Sequence, residues 1–189
     1  MSTIGVLALQ GDFEKHAQAI NKLGHSSVLV KDSASLVKSD RLIIPGGEST
    51  TMIKLIDRLD LREDLVKYGK SRPVFGTCAG LIIVASHVEN SGFTPLSLID
   101  LNVRRNAYGR QINSFIDDIT LTTNGIETLY EAIFIRAPKI TGCGNSTKPL
   151  AYHKNDIVMA GNENILVATF HPELTDDLRI HDFFLNHFG

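Results

Sequence analysis

Short apolar runs closed by glycine or proline alternate, through the first half of the chain, with segments whose apolar residues recur every third or fourth position. Thr3 to Leu9 is such a run, stopped by Gln10-Gly11, and Asp12 to Leu23 then sets Phe13, Ala17, Ile20 and Leu23 at helical spacing. Ser27 to Val30 and Arg41 to Ile44 read as further strands, the second ending at Pro45-Gly46-Gly47. Ser49 and Thr50 are placed to cap a helix carrying Met52, Ile53, Ile56 and Leu59, and Asp60 to Tyr68 continues helically. Pro73 begins a buried strand into Gly76, with Leu81 to Ala85 a possible helix behind it. Apolar strands alternating with amphipathic helices predict a mostly parallel sheet covered on both faces.

The rhythm changes after Glu89, where Asn90-Ser91-Gly92 and Pro95 interrupt the chain. Strands are expected at Leu98 to Val103, Ile112 to Ile116, Ile119 to Thr122, Ala132 to Ile135, Leu150 to His153, Ile157 to Ala160 and Ile165 to Phe170. Lys154-Asn155-Asp156 and Gly161-Asn162-Glu163-Asn164 are too short for crossover helices, so antiparallel strands either extend the sheet or form a small second one. A closing helix is expected from Asp176 or Asp177 through Phe188, with Ile180, Phe183, Phe184 and Phe188 largely inward. No repeat or linker divides the chain, and residues 1–189 are expected to form one domain.

Charge narrows the partners. With 19 basic and 21 acidic residues the chain has no global field to favour nucleic acid or an anionic membrane. No run reaches membrane-spanning length, and the amino terminus reads as a first core strand and not a signal peptide. Two cysteines in unlike contexts, Cys78 and Cys143, make no disulfide scaffold and suit a reducing, cytoplasmic setting.

Cys78 stands out among the candidates for chemistry. In Gly76-Thr77-Cys78-Ala79-Gly80 it is pinned between glycines at a strand-to-helix turn, the geometry that projects a nucleophile while the following N–H groups point the same way. Glycines also serve ordinary turns and cysteine is often inert packing, so the pentapeptide alone leaves both readings open. A thiol reacts as its thiolate and needs a base. His171 follows the apolar run Leu166 to Phe170 and so sits at the carboxyl end of a strand, where open α/β sheets collect ligands. Pro172 favours an extended path at His171, bringing Glu173 to the same side, where it can fix the tautomer and favour the imidazolium. For His16, His25, His87, His153, His181 and His187 the expectation is solvent exposure, capping or helix-surface packing.

Gly46-Gly47 can present backbone N–H groups to a developing oxyanion, with a second donor after Cys78; Pro-Gly-Gly is equally a common turn, with Glu48 at a helix start. The stretch Arg104 to Gln111 can hold a carboxylate through its arginines or form an exposed basic turn, and Ile135-Arg136-Ala137-Pro138 is similarly open. The Pro45 to Thr50 segment lacks the lysine and spacing of a phosphate loop, and the cysteines and histidines give no compact metal-ligand series.

Gly76-Thr77-Cys78-Ala79-Gly80 together with His171-Pro172-Glu173 resembles the class I glutamine amidotransferases. Ile4 to Gly11, Pro45 to Met52, Arg105 to Gln111, Ile135 to Pro138 and Phe170 to Leu174 sharpen the resemblance to the glutaminase subunits of ribose 5-phosphate-dependent pyridoxal 5′-phosphate synthases. The resemblance implies a three-layer, flavodoxin-like α/β fold. It implies Cys78 as nucleophile, His171 as base and Glu173 as its orienting carboxylate, with the backbone of Gly47 and Ala79 in the oxyanion hole. Gly47, Glu48, Ser49, Arg105, Ile135 and Arg136 match glutamine-contacting positions, Gln10 lies in the segment that faces the synthase and takes part in activation, and Arg104 falls to the surface. The implied partners are L-glutamine and a (β/α)₈ synthase subunit, in a ring-shaped assembly of up to 12 plus 12 subunits. No cofactor is implied for this chain, pyridoxal phosphate being the synthase's product. A cysteine-dependent hydrolase or peptidase of other specificity, and a binding module without turnover, are the alternatives.

Overall fold

The computed structural model describes residues 2–105, 114–123 and 125–188. In chain order its elements are β1 (Thr3–Leu7), α1 (Phe13–Lys22), β2 (Ser26–Val30), α2 (Ser33–Val37), β3 (Arg41–Ile44), α3 (Ser49–Arg58), α4 (Arg62–Gly69), β4 (Val74–Thr77) and α5 (Ala79–Val84). There follow β5 (Ala85–Glu89), β6 (Ile99–Arg104), β7 (Ser114–Thr123), β8 (Ile126–Ile135), β9 (Lys139–Cys143), β10 (Lys148–His153), β11 (Asp156–Gly161), β12 (Ile165–Ala168), a 3₁₀ turn at Pro172–Leu174 and α6 (Arg179–His187).

Among the described residues nine strands form one sheet in the order β2-β1-β3-β4-β12-β11-β10-β7-β8. The five from β2 to β12 are parallel, and β11, β10, β7 and β8 continue antiparallel through the two short turns. The strands joined by those turns all extend this sheet; a second sheet, β5-β6-β9, pairs β5 with β6 in parallel and β6 with β9 antiparallel. The parallel strands are apolar on both faces because each face has its own cover. Leu42, Ile44 and Val74 join one buried cluster with Met52, Ile53 and Ile56 of α3, while Ile43 and Phe75 join the other with Ile20 of α1 and Phe184 of α6. This is the expected three-layer α/β architecture.

Several local expectations are corrected. The cap of α3 is Glu48, not Ser49 or Thr50: its carboxylate accepts from the N–H groups of Thr50 at 2.9 Å and Thr51 at 2.7 Å. The two short strands expected from Ile112 to Thr122 are one strand over the described part, β7, because Asp117 and Asp118 face solvent without breaking the ladder to β8; Ile112 and Asn113 lie outside the described residues. The expected strand at Ala132 extends back to Ile126. Three elements were not expected. A capping box between Asp32 and Ser35 starts the short α2, and β5 and β9 flank β6, which supplies the pairing that their own patterns do not advertise.

Candidate active site

The carboxyl ends of β1, β3, β4 and β12 lie together, as an open parallel sheet requires of its ligand site. Cys78 occupies the turn from β4 to α5 with φ 48° and ψ −101°, and its N–H donates to Ala168 O at 2.8 Å, tying the turn to β12. The flanking glycines are sterically required. A Cβ on Gly80 would stand 2.0 Å from Ile44 O, and one on Gly76 2.8 Å from Gly80 O. The helix behind Cys78 therefore packs directly on β3, with the Ala79 N–H unpartnered within its own helix. The Cys78 thiol is buried and lies 3.8 Å from Ile135 O at the end of β8.

His171 is fixed from two sides. Its N–H donates to Ile133 O at 2.9 Å, and its ring Nδ1 lies 2.7 Å from Glu173 Oε1. The expected extended path at His171 holds only for that residue (φ −111°, ψ 84°): Pro172 opens a 3₁₀ turn, and that turn swings the carboxylate back under the ring. With Nδ1 committed to Glu173, Nε2 is the nitrogen left for the thiol. Burial opposes charge on His171, but hydrogen bonds with Cys78 and Glu173 and their attraction prevail and push it up to about 10. Burial likewise opposes charge on Glu173, yet the His16 ring and the hydrogen-bonded His171 hold its carboxyl down at about 2. The pair is a buried imidazolium and carboxylate across the neutral range.

The Gly46-Gly47 loop closes the group. A Cβ on Gly46 would stand 2.5 Å from His171 Cε1 and 3.4 Å from Cys78 Cβ, so the loop touches both. Gly47 has φ 144°, open to glycine and strained for other residues. Gln10 clamps the loop, with its side-chain amide donating to Glu48 O at 3.0 Å and accepting from Glu48 N at 3.0 Å.

A cavity of about 290 Å³ opens over the thiol. Gly11, Asp12, Gly47, Glu48, Ser49, Cys78, Ile82, Arg105, Ile135, Arg136 and His171 line it, which unites the expected site residues of every distant segment except Gln10, Ala79 and Glu173, which stand behind its wall. Arg105 is aimed by four contacts: Glu48 Oε1 at 3.3 Å, Thr50 Oγ1 at 3.2 Å, Ser91 O at 3.4 Å and the Phe93 ring, 5.6 Å from its carbon to the centroid. Burial opposes charge on Glu48, but the Thr51 and Thr50 groups that it caps hold it down at about 2. Arg136, at φ 45°, turns sharply at the cavity edge. Arg104 is exposed and pairs with Glu89 at 2.8 Å, as expected of a surface residue. Asn106 to Gln111, the remainder of that polar stretch, lie outside the described residues.

Three histidines were misplaced by sequence reasoning. His16 and His181, expected at a surface or cap, are fully buried, and His16 Nε2 lies 3.3 Å from Glu173 Oε2. His153 is also buried, paired with Asp117 at 2.8 Å. The missed signal was periodicity: His16 falls between Phe13 and Ile20 on the apolar stripe of α1, and His181 precedes Phe184, Leu185 and Phe188 at i+3, i+4 and i+7 on α6.

A thiol at a strand-helix elbow, an imidazole-carboxylate pair beside it and a glycine loop over both define the class of cysteine-dependent amide hydrolases on an α/β sheet. Comparison with known proteins narrows the class. The chain belongs to the SNO glutamine amidotransferase family, whose model matches residues 6–189. It is 48% identical over 183 residues to the pyridoxal 5′-phosphate synthase subunit PdxT of Fervidobacterium nodosum, covering 96% of this chain and 95% of that one. It is equally 48% identical to the PdxT of Thermotoga neapolitana, over 96% and 97% of the two chains. A crystal structure of a glutamine amidotransferase superposes with a TM-score of 0.90 at 38% identity, covering 96% of each chain. PurLQS from Thermotoga maritima, at 14% identity and TM-score 0.71, shares the fold.

Proposed function

We propose that residues 1–189 act as one glutaminase domain in which Cys78 is the nucleophile, His171 the general base and acid, and Glu173 the carboxylate that aligns it. The observation that carries this reading is the 2.7 Å contact from His171 Nδ1 to Glu173 Oε1, which leaves Nε2 to face the thiol at the floor of the cavity. The chain hydrolyses L-glutamine to L-glutamate and ammonia. The Cys78 sulfur, its proton already held by the His171 imidazolium, attacks the side-chain amide carbon, and the resulting oxyanion meets the N–H groups of Gly47 and Ala79. The C–N bond then breaks as His171 returns the proton to the leaving nitrogen, giving ammonia and a glutamyl thioester. Water attacks the thioester, its proton going to His171, and the thiolate and imidazolium are restored as glutamate leaves.

Substrate recognition follows from the charges at the cavity mouth. The Arg105 guanidinium suits the α-carboxylate, and the ionised Glu48 suits the α-amino group. Gly47, Ser49, Ile135 and Arg136 complete the glutamine contacts along the wall.

The ammonia feeds a pyridoxal 5′-phosphate synthase. The synthase subunit is a (β/α)₈ barrel, and up to 12 copies of each subunit form a ring. Relatives named as subunits of that synthase support this partner. Gln10 transmits activation from it: its amide holds both backbone groups of Glu48, next to the oxyanion donor Gly47, so a partner that moves Gln10 moves the loop. A cytoplasmic setting suits a mechanism that needs the Cys78 thiol reduced. Among the described residues no helix is long and apolar enough to cross a membrane.

Glutamate release from glutamine, measured with and without a pyridoxal 5′-phosphate synthase subunit, tests the reading. Release stimulated by the synthase is expected. None from the pair, under conditions where the two bind, overturns it.

A further inference from the structure

Glu173 has two carboxylate oxygens, and the catalytic arrangement uses one. Oε1 meets His171, while Oε2 is sealed from solvent with no hydrogen bond in good alignment among the described residues. The donor group at hand is His16 Nε2, 3.3 Å away on α1, where it also stands 3.3 Å from Thr77 Oγ1. Behind it, His16 Nδ1 lies 2.9 Å from Nε2 of His181 on α6, whose own Nδ1 has no partner among the described residues. Three imidazoles and one carboxylate thus run inward from the cavity to the helix layer, and both rear histidines are fully buried.

Proton bookkeeping along this row has two solutions. In one, His181 donates from Nε2 to His16 Nδ1, and His16 donates from Nε2 toward Glu173; the unpartnered His181 Nδ1 is then a bare lone pair. In the other, His16 donates backward to His181, turning a lone pair against a carboxylate and burying an unpaired N–H on His181. Even with the Thr77 hydroxyl donating to His16 Nε2, the second leaves Glu173 Oε2 without a donor and an orphan N–H on His181; in the first, the His16 N–H is shared between Glu173 Oε2 and Thr77 Oγ1, so the first is favoured. Burial drives both rear imidazoles toward their neutral forms, which suits donors to a carboxylate already balanced by the His171 imidazolium.

We propose that His16, its tautomer set by His181, is a positioning residue for hydrolysis: it donates to Glu173 Oε2 and so fixes the plane in which Oε1 holds the His171 ring. This rests on the roles given above to Cys78, His171 and Glu173. The group never touches glutamine, so it acts on the chemical step and not on substrate binding.

The experiment compares wild type with His16→Leu and His16→Gln in glutamate release by the complex with the synthase subunit. His16→Leu is expected to lower kcat by about tenfold to a hundredfold with KM unchanged, the usual scale for a lost outer hydrogen-bond partner. His16→Gln, whose amide N–H reaches the same place, is expected to restore most of kcat. Wild-type kcat in a folded His16→Leu, or equal loss in both variants, overturns the proposal. A second measurement works without turnover or a folded variant. In isotope-labelled wild type the nitrogen shifts of His16 are expected to show a neutral ring protonated at Nε2. A proton on Nδ1, or a charged His16 at neutral pH, overturns the proposal as well. If wild type releases no glutamate while the ring shows this tautomer, the functional reading fails and the hydrogen-bond assignment stands.

Discussion

Gly46 packs against His171 so closely that a β-carbon on the glycine would lie 2.5 Å from the imidazole Cε1. The Gly46-Gly47 loop and the His171 ring proposed as base are therefore in one contact. Gly46→Ala is expected to push His171 off the Cys78 line. A displacement of that order costs about a hundredfold in turnover. Synthase-stimulated glutamate release should show that loss while KM and circular dichroism stay near wild type; an unimpaired Gly46→Ala would mean that the ring and loop move independently.

Cys78 sits at φ 48° and ψ −101°, a conformation unfavourable for any side chain. Both Cys78→Gly and Cys78→Ala remove the sulfur and are expected to abolish glutamate release. They should differ in stability, because glycine accepts positive φ and alanine does not. Cys78→Gly is expected to be more stable than Cys78→Ala by about 1 kcal/mol, the strain relieved less the extra freedom of glycine when unfolded. Denaturant titration of the two inactive proteins decides it, and an alanine variant equal to or above glycine would remove strain from the account of this turn.

The buried His181 makes stability depend on acid. Burial, with His16 beside it, pushes His181 down to about 3, against about 6.5 when unfolded. A depressed folded value means that the contribution is whole above about 6.5 and is lost as pH falls toward about 3, since the unfolded chain then binds a proton that the native one refuses. His171 is raised, so its contribution is complete below about 6.5 and declines only as pH climbs toward about 10; it adds no slope in the acid window. His181→Phe is therefore expected to flatten unfolding free energy against pH between about 6 and about 4, by close to one proton's worth of slope. Urea titrations across that window measure it, and an unchanged slope would place the acid sensitivity elsewhere.

Most of the candidate site was legible because its residues are local punctuation. The glycines around Cys78, the proline after His171 and the Gly46-Gly47 pair each interrupt an apolar strand, and a parallel sheet gathers such interruptions at one edge. The expected strands of the parallel half were found with ends shifted by a residue or two. What escaped was set by partners distant in sequence. β5 and β9 exist because β6 lies between them, and their own patterns alternate too weakly to announce a strand. His16 and His181 looked polar and so were assigned outward, yet each lies on an apolar stripe, and partners from distant parts of the chain, His181, Thr77 and the Glu173 carboxylate, make the position of His16 tolerable. Glu48 carries two roles that the sequence kept separate, capping α3 with both oxygens and steadying Arg105.

That double role makes Arg105 a sharp test of substrate recognition. Its guanidinium is held by Glu48 Oε1 and Thr50 Oγ1 on one edge and by the Phe93 face, which orients a planar fork toward the cavity. Lysine carries the charge but neither the fork nor the stacking plane. Arg105→Lys is therefore expected to raise KM for glutamine by about tenfold, the scale of one charge-assisted hydrogen bond, with kcat within about twofold of wild type because no reacting atom is touched. Arg105→Ala should raise KM further and also free Glu48, whose cap on α3 remains. Steady-state kinetics of the complex separate the two parameters, and a fall in kcat at unchanged KM would assign Arg105 to the chemical step and leave the α-carboxylate without its proposed anchor.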